Sequence, residues 1–271
     1  MNTKPISKLL SSTTFGTNHK TRWYNIANLV TLGDSITVGY DGHQKVQHTI
    51  PELLKQKAHL NRVDNVAVSG TQMTGPNGLP AQINKVNFKN YQYALIAFGT
   101  NDFVHGNQSL KAMRYSLNAS IKTIKHQNPK IKIFITTPIQ SFANAKDLNT
   151  LNDMGISQNA IDNMIIDVAK ENNIQYNDWR QHPVVTTKNH KTTLGDQTIH
   201  PTQATMNLMA DRYYNKFFKT QTKTVQEQPH HTNPSSHQIV INGAMLMIGI
   251  VIGALVTVLI YKHSLNLRKK S

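Results

Sequence analysis

The sequence has no cysteine. That absence excludes disulfide frameworks, thiolate nucleophiles and cysteine-ligated zinc, and leaves the compartment open. Acidic residues are also scarce: 14 Asp and Glu stand against 29 Lys and Arg, a formal charge of +15. Such a balance favours anionic surfaces, whether anionic lipid, an anionic wall polymer or nucleic acid. The basic residues are scattered, however, with no run interleaved with aromatics and no zinc-finger or RNP-like pattern, so no specific nucleic-acid partner is expected. Residues 1–27 are polar and basic, hold no acidic group, and contain no apolar stretch long enough for a signal-peptide core; Leu9-Leu10 is a fragment of one. No internal repeat is present.

The one long apolar run comes late. Residues 239–261 carry no charge, and at roughly 1.5 Å per residue this length crosses roughly 30 Å of hydrocarbon. The run is apolar on every face, follows a polar linker at 220–238 that holds Pro229 and Pro234, and is followed by Lys262, Arg268, Lys269 and Lys270 in a basic tail, 262–271. These features predict a single-pass transmembrane helix rather than a buried core helix. The positive residues after the span place the C-terminus in the cytoplasm and the rest of the chain outside; without an evident export signal, a tail anchor facing the cytoplasm is the alternative.

Between residues 28 and 219 the pattern is that of a globular domain. Short apolar runs at 29–32, 63–68, 93–98, 131–136 and 174–176 read as buried strands. Amphipathic stretches near 44–58, 109–126, 152–172 and 202–218 read as helices. This alternation predicts a parallel sheet with helices on both faces.

Four short segments fall just after predicted strands, at the edge of an open α/β sheet where ligands bind. The first is Gly33-Asp34-Ser35, a hydroxyl at a strand-to-helix turn; taken alone, such a serine is most simply a helix cap. Gly70 ends the segment Asn65-Val66-Ala67-Val68-Ser69-Gly70 with a backbone N–H that a substrate can approach closely, or is a simple turn glycine. Gly99-Thr100-Asn101-Asp102 offers an amide side chain at the same edge, or a turn former. Asp196-Gln197-Thr198-Ile199-His200-Pro201 brings a histidine just before a helical stretch. Taken together they form a chemical set. A serine hydroxyl needs a base near neutral pH, which histidine supplies, and the oxyanion formed on attack needs donors, which a glycine N–H and an asparagine NH2 supply.

In these four blocks, in this order, the chain resembles the SGNH hydrolases, also called the GDSL family, over about residues 29–218. The nucleophile block continues Ile36-Thr37 rather than with the family's leucine. No G-x-S-x-G elbow surrounds Ser35, which disfavours an ordinary α/β-hydrolase. The resemblance implies a flavodoxin-like three-layer α/β/α fold and a metal-independent acyl-enzyme mechanism without cofactor. It further implies Ser35 as nucleophile, His200 as base and then acid, and an oxyanion hole formed by the Ser35 N–H, the Gly70 N–H and the Asn101 side chain. Asp34 and Asp102 would orient their loops. The family's aspartate usually stands three residues before the histidine; here that position is Gln197, and Asp196 stands four before. Either Asp196 still reaches the ring, the reading favoured here, or a backbone carbonyl orients a Ser–His dyad.

No metal site is expected: His43, His48, His105, His126, His182 and His190 lack ligand spacing and read as solvated, and His230, His231 and His237 fall in the linker. The expected function is a membrane-anchored esterase acting on acyl esters, with O-acetyl groups on carbohydrate or cell-envelope polymers as one substrate class. An acyltransferase with the same site, or a membrane-tethered binding module without turnover, is the alternative. Specificity would lie in loops such as 71–81 and 140–151.

Overall fold

A computed structural model describes residues 25–219; side chains are described from residue 27 onward. The candidate span at 239–261, its linker and the basic tail lie outside the described residues, as does most of the segment 1–27. Among the described residues, no helix is long and apolar enough to cross a membrane.

The chain alternates strand and helix. β1 (Asn25–Gly33) leads through the single-turn α1 (Ser35–Val38) to α2 (Ile50–Lys57) and β2 (Leu60–Asn65). Then come α3 (Leu79–Asn84), a 3-10 turn at Phe88–Asn90 and β3 (Tyr93–Ala97). α4 (Thr100–His105), α5 (Leu110–Gln127) and β4 (Lys132–Thr136) follow. The domain closes with α6 (Gln158–Glu171), β5 (Gln175–Asn177), α7 (His190–Thr193), α8 (Gln203–Tyr213) and a wider π-type turn at Tyr214–Phe218. The five strands are all parallel, in the order β2-β1-β3-β4-β5. That is the doubly wound, flavodoxin-like order, so every strand delivers its C-terminal end to one edge.

Helix boundaries follow from local chemistry. Thr49 and Glu52 form a reciprocal capping box at the start of α2, so the helix begins at Ile50, not near 44 as the apolar pattern suggests. Ser109, Ser157 and Thr202 cap α5, α6 and α8 by accepting from the N–H three residues on. α6 starts at Gln158 rather than 152: the Asn152 side chain takes the N–H of Met154 and of Ile156, and Gly155 turns at φ +68°. One face of the sheet packs α3, α5 and α6 through Leu79, Met113, Leu117, Ile121, Ile161 and Ile165; the other packs α2 and α8 through Leu54, Met206, Met209 and Tyr213. Three layers result. One strand departs from expectation: β2 is an edge strand whose burial after Leu60 is partial at best, so its apolar run does not mark a fully covered strand.

Candidate active site

The turn that carries Ser35 is built from β1 outward. A Cβ on Gly33 would stand 2.2 Å from Thr37 Oγ1 and 2.8 Å from the Ala97 carbonyl, so only glycine lets β1, β3 and α1 meet here. The Gly33 N–H donates to Gln82 Oε1 at 3.0 Å, and its carbonyl accepts from Gln82 Nε2 at 2.8 Å. The side chain of the fully buried Gln82 thus pairs with the strand end as another strand would. Asp34 then caps α1 by accepting from the Ile36 N–H at 3.0 Å. Ser35 opens the helix and is 7% exposed.

Ser35 Oγ lies 2.9 Å from His200 Nε2, across 165 residues of chain, and His200 Nδ1 lies 2.6 Å from Asp196 Oδ2. Asp196 therefore reaches the ring in spite of its spacing. Its other oxygen accepts from the N–H groups of Thr198, Ile199 and His200 at 2.9, 2.8 and 3.0 Å. Burial alone would raise this carboxyl; the Ile199 and Thr198 N–H groups, then the His200 ring and N–H, outweigh it and hold it at about 2. An ionised carboxylate can only accept, so Nδ1 carries the proton and, in the neutral ring, Nε2 is free to accept from Ser35.

The extra residue before His200 has a visible place. Gln197 sits at φ +63°, a left-handed kink that takes up one residue while Asp196 and His200 keep facing each other. A Leu194–Pro201 bridge and a 2.7 Å bond from the Gly195 N–H to the His200 carbonyl close the loop. Two outside groups hold its tip: the Phe142 N–H donates to the Thr198 carbonyl, and His190 Nδ1 to the Gln197 carbonyl, each at 2.7 Å. The His190 and Phe142 rings stack at 4.0 Å. His43 Nε2 likewise donates to the Gly195 carbonyl at 3.0 Å. His43 is exposed, as its scattered spacing suggests, and His190 half-buried, yet each also bonds a backbone carbonyl of this loop. Tyr40 presses edge-on against the His200 ring, centroids 4.9 Å apart, and its hydroxyl bonds the Gly42 carbonyl. Gly42, at φ +102°, lies so close that a Cβ would meet that of Asp196 at 2.5 Å.

The remaining blocks are stitched to the same point. Thr71 donates its hydroxyl to the Val68 carbonyl at 2.7 Å and the Gly33 carbonyl at 3.3 Å, while its own carbonyl accepts from Asn101 Nδ2 at 3.0 Å. Asn101, in the first turn of α4 and 9% exposed, keeps a second amide hydrogen beyond this bond. Gly70 is exposed at φ +75°. Asp102 accepts from the Met73 N–H with both oxygens, which anchors the 71–78 loop to α4. Burial pushes Asp34 up to about 7 against the pull of the Ile36 N–H, with the Asp102 charge adding to the rise; burial likewise lifts Asp102 to about 7. Among the described residues, no three His, Asp or Glu side chains gather as a metal site.

Gln82, Tyr40, Gly42 and the Phe142–His190 pair escaped sequence reasoning. They act through packing and long-range hydrogen bonds, and none belongs to a motif. The glycine at 42 was the one available signal.

Comparison with known proteins agrees with this architecture. No curated protein sequence matches the chain. Among solved structures, a lipase/acylhydrolase from Enterococcus faecalis shares 19% identity at a TM-score of 0.54, over 68% of this chain and 92% of that one. A family two carbohydrate esterase from Clostridium thermocellum, solved in complex with cellohexaose, shares 17% at 0.51, over 70% and 64%. A salicylyl-acyltransferase from a tetracycline biosynthetic pathway shares 13% at 0.53, over 75% and 56%. These likenesses are of fold. The family model for GDSL-like lipases/acylhydrolases matches residues 31–208, a span that takes in every block from Ser35 to His200, and the chain therefore belongs to that family of ester-hydrolysing serine hydrolases.

Proposed function

We propose that the protein hydrolyses small acyl esters through an acyl-enzyme on Ser35, and that its substrates are O-acetyl groups on carbohydrate or cell-envelope polymers. The observation that carries the reading is the hydrogen-bonded chain Ser35–His200–Asp196. Ser35 Oγ attacks the ester carbonyl as its proton passes to His200 Nε2. The tetrahedral oxyanion is met by the Ser35 and Gly70 N–H groups and the free amide hydrogen of Asn101. On collapse, His200 returns the proton to the departing alcohol. A water then gives a proton to His200 and attacks the acyl-serine, which releases the acid and restores Ser35. Asp196 holds the ring in the tautomer this sequence needs and stabilises the imidazolium.

The carbohydrate assignment draws on the carbohydrate esterase among the structural neighbours, and the net positive charge suits an anionic polymer. The membrane tether and an extracytoplasmic domain rest on the sequence at 239–270. Activity is tested by fluorophosphonate labelling of the full chain and of Ser35→Ala, followed by p-nitrophenyl esters of increasing acyl length and an acetylated oligosaccharide. Label confined to the unmutated chain, with acetate the fastest acyl group, is expected; absence of both label and turnover would defeat the reading. Acyl transfer to added sugar in preference to release of acid would make it a transferase. Protease added to intact cells tests topology: digestion of the domain without lysis is expected, and survival until lysis places it inside.

A further inference from the structure

A cavity that Ser35 does not line lies where the chain leaves β4 and β5. Its volume is about 90 Å³, and its walls include Pro138, Ile139, Leu148, Trp179, Val184 and Val185. One acid faces this space, which Gln140 and Arg180 also line. Asp162, in the second turn of α6, has a side chain 1% exposed, and neither carboxyl oxygen has a hydrogen-bond partner. The mechanism above makes no use of it.

Arg180 does not satisfy it. Its Nε stands 3.8 Å from Asp162 Oδ2, but that N–H donates to Asp178 Oδ1 at 2.9 Å. Nη2 donates to Asp178 Oδ2 at 3.0 Å, and Nη1 donates to Asn159 Oδ1 at 2.5 Å and Asn163 Oδ1 at 2.7 Å. A buried polar group without a partner is rare and costly in a native fold, the more so when carboxylic and facing space large enough for several water-sized groups.

We propose that this cavity is a binding site for a small neutral vicinal diol, with Asp162 as its polar contact. The chemistry selects the class. Burial pushes the Asp162 carboxyl up to about 8, Arg180 pulling it down and Asp178 adding to the rise, so near neutral pH it carries a proton and presents one donor and one acceptor side by side. Adjacent hydroxyls of a diol complement that pair, one accepting and one donating, while the two carbons lie against the apolar wall. A cation would meet the Arg180 guanidinium beside a neutral acid. An anion would find four of that guanidinium's five N–H groups already in use.

The wall leads toward the catalytic loop. The Ile139 carbonyl accepts from Gln158 Nε2 and the Ser141 N–H donates to Gln158 Oε1, each at 2.9 Å; one residue on, Phe142 holds Thr198. The site itself is independent of the proposed ester chemistry and is tested apart from it.

The test is ligand-observed NMR titration of the full chain with 1,2-propanediol, and with ethylammonium as the charged probe, on unmutated protein and on Ser35→Ala. Saturable millimolar binding of the diol, equal in both proteins and weaker above pH 8, is expected. Asp162→Asn keeps a donor and an acceptor and should bind within about threefold, whereas Asp162→Leu should weaken binding about tenfold or more. Leu148→Trp, which fills the space from the opposite chain segment and leaves Asp162 unmutated, should abolish binding and stands in for the Leu variant should that one fail to fold. Lack of saturation, binding unchanged in both Asp162→Leu and Leu148→Trp, or binding of ethylammonium in place of the diol would each overturn the proposal.

Discussion

Exchanging Asp196 for Asn removes one charge and leaves the shape of the loop intact. The Oδ1 acceptor for the N–H groups of Thr198, Ile199 and His200 is retained, so the backbone path around Gln197 should survive. What changes is the 2.6 Å contact to His200 Nδ1. An amide NH2 there can only donate, which drives the ring proton to Nε2, where it faces Ser35 and blocks the base. Loss of the working tautomer together with imidazolium stabilisation is worth about 10³- to 10⁴-fold in kcat, about 4 to 5 kcal/mol of barrier.

The stability effect should be far smaller. A carboxyl held at about 2 rather than 3.8 contributes about 2 kcal/mol by linkage, and solvent at a side chain 21% exposed reduces this to about 1 kcal/mol. Because the folded value is the lower one, that contribution is present above pH 4 and fades as pH falls toward 2. Gln197→Ala, by contrast, trims an exposed side chain and keeps a non-glycine residue at the same positive φ, so its kcat should stay within about twofold. The assay is steady-state hydrolysis of p-nitrophenyl acetate with thermal melts of all three proteins. A loss below about tenfold in a folded Asp196→Asn would refute the reasoning and favour a Ser–His dyad. A dominant loss in Gln197→Ala would reassign the orienting role.

Asn101→Ala should lower kcat about 10²- to 10³-fold with KM nearly unchanged, as for a contact made mainly in the transition state; kinetics on the same ester checks it, and an unchanged kcat removes Asn101 from the oxyanion hole. Gln82→Leu leaves the buried Gly33 N–H without its partner and should cost about 2 kcal/mol in urea unfolding, with fluorophosphonate labelling of Ser35 slowed as well. Asp34 and Asp102 are raised in the fold, so their protonated forms stabilise it at low pH. Their contribution should fall as pH rises from about 4 to 7, with Asp162 extending the decline to about 8, and Asp102→Asn should flatten the Tm profile by its own share, at most about 4 kcal/mol. An Asp102→Asn profile parallel to the unmutated one would show that this carboxyl does not titrate there.

How much of this was legible depended on the range of the interaction. The central strands were readable because β1, β3 and β4 are covered on both faces and so carry short, largely apolar runs, and the parallel order puts Gly33, Asn65 and Ala97 at one edge. The blocks were readable because Ser35, Gly70, Asn101 and His200 are specified by chemical type. Helix starts were less so: α6 begins six residues later than its apolar pattern suggests because a single side chain, Asn152, folds the preceding segment into a turn, and hydrophobic spacing does not register that competition.

The catalytic loop shows the limit most clearly. Sequence alone left two geometries for Asp196, since an offset of four residues is compatible with either. Between them stand the left-handed Gln197 and what fixes the loop around it: His190 from α7 on Gln197, Phe142 from the segment after β4 on Thr198, and Gly42 from the turn after α1 against Asp196. A non-glycine residue at positive φ costs on the order of 1 kcal/mol and persists only where surrounding contacts fix it. Three elements, separated by up to about 150 residues of chain, provide those contacts. The reach of Asp196 to His200 is therefore a property of packing around the loop and not of the spacing within it, and loosening that packing should disturb the ring before it disturbs the fold. His190→Ala tests this directly. It removes the bond to the Gln197 carbonyl and the stack on Phe142, and it should lower kcat on p-nitrophenyl acetate about tenfold, with KM and far-UV circular dichroism little changed and partial recovery in His190→Asn, whose amide can still donate. Full activity in folded His190→Ala would mean that Gln197 holds its kink unaided.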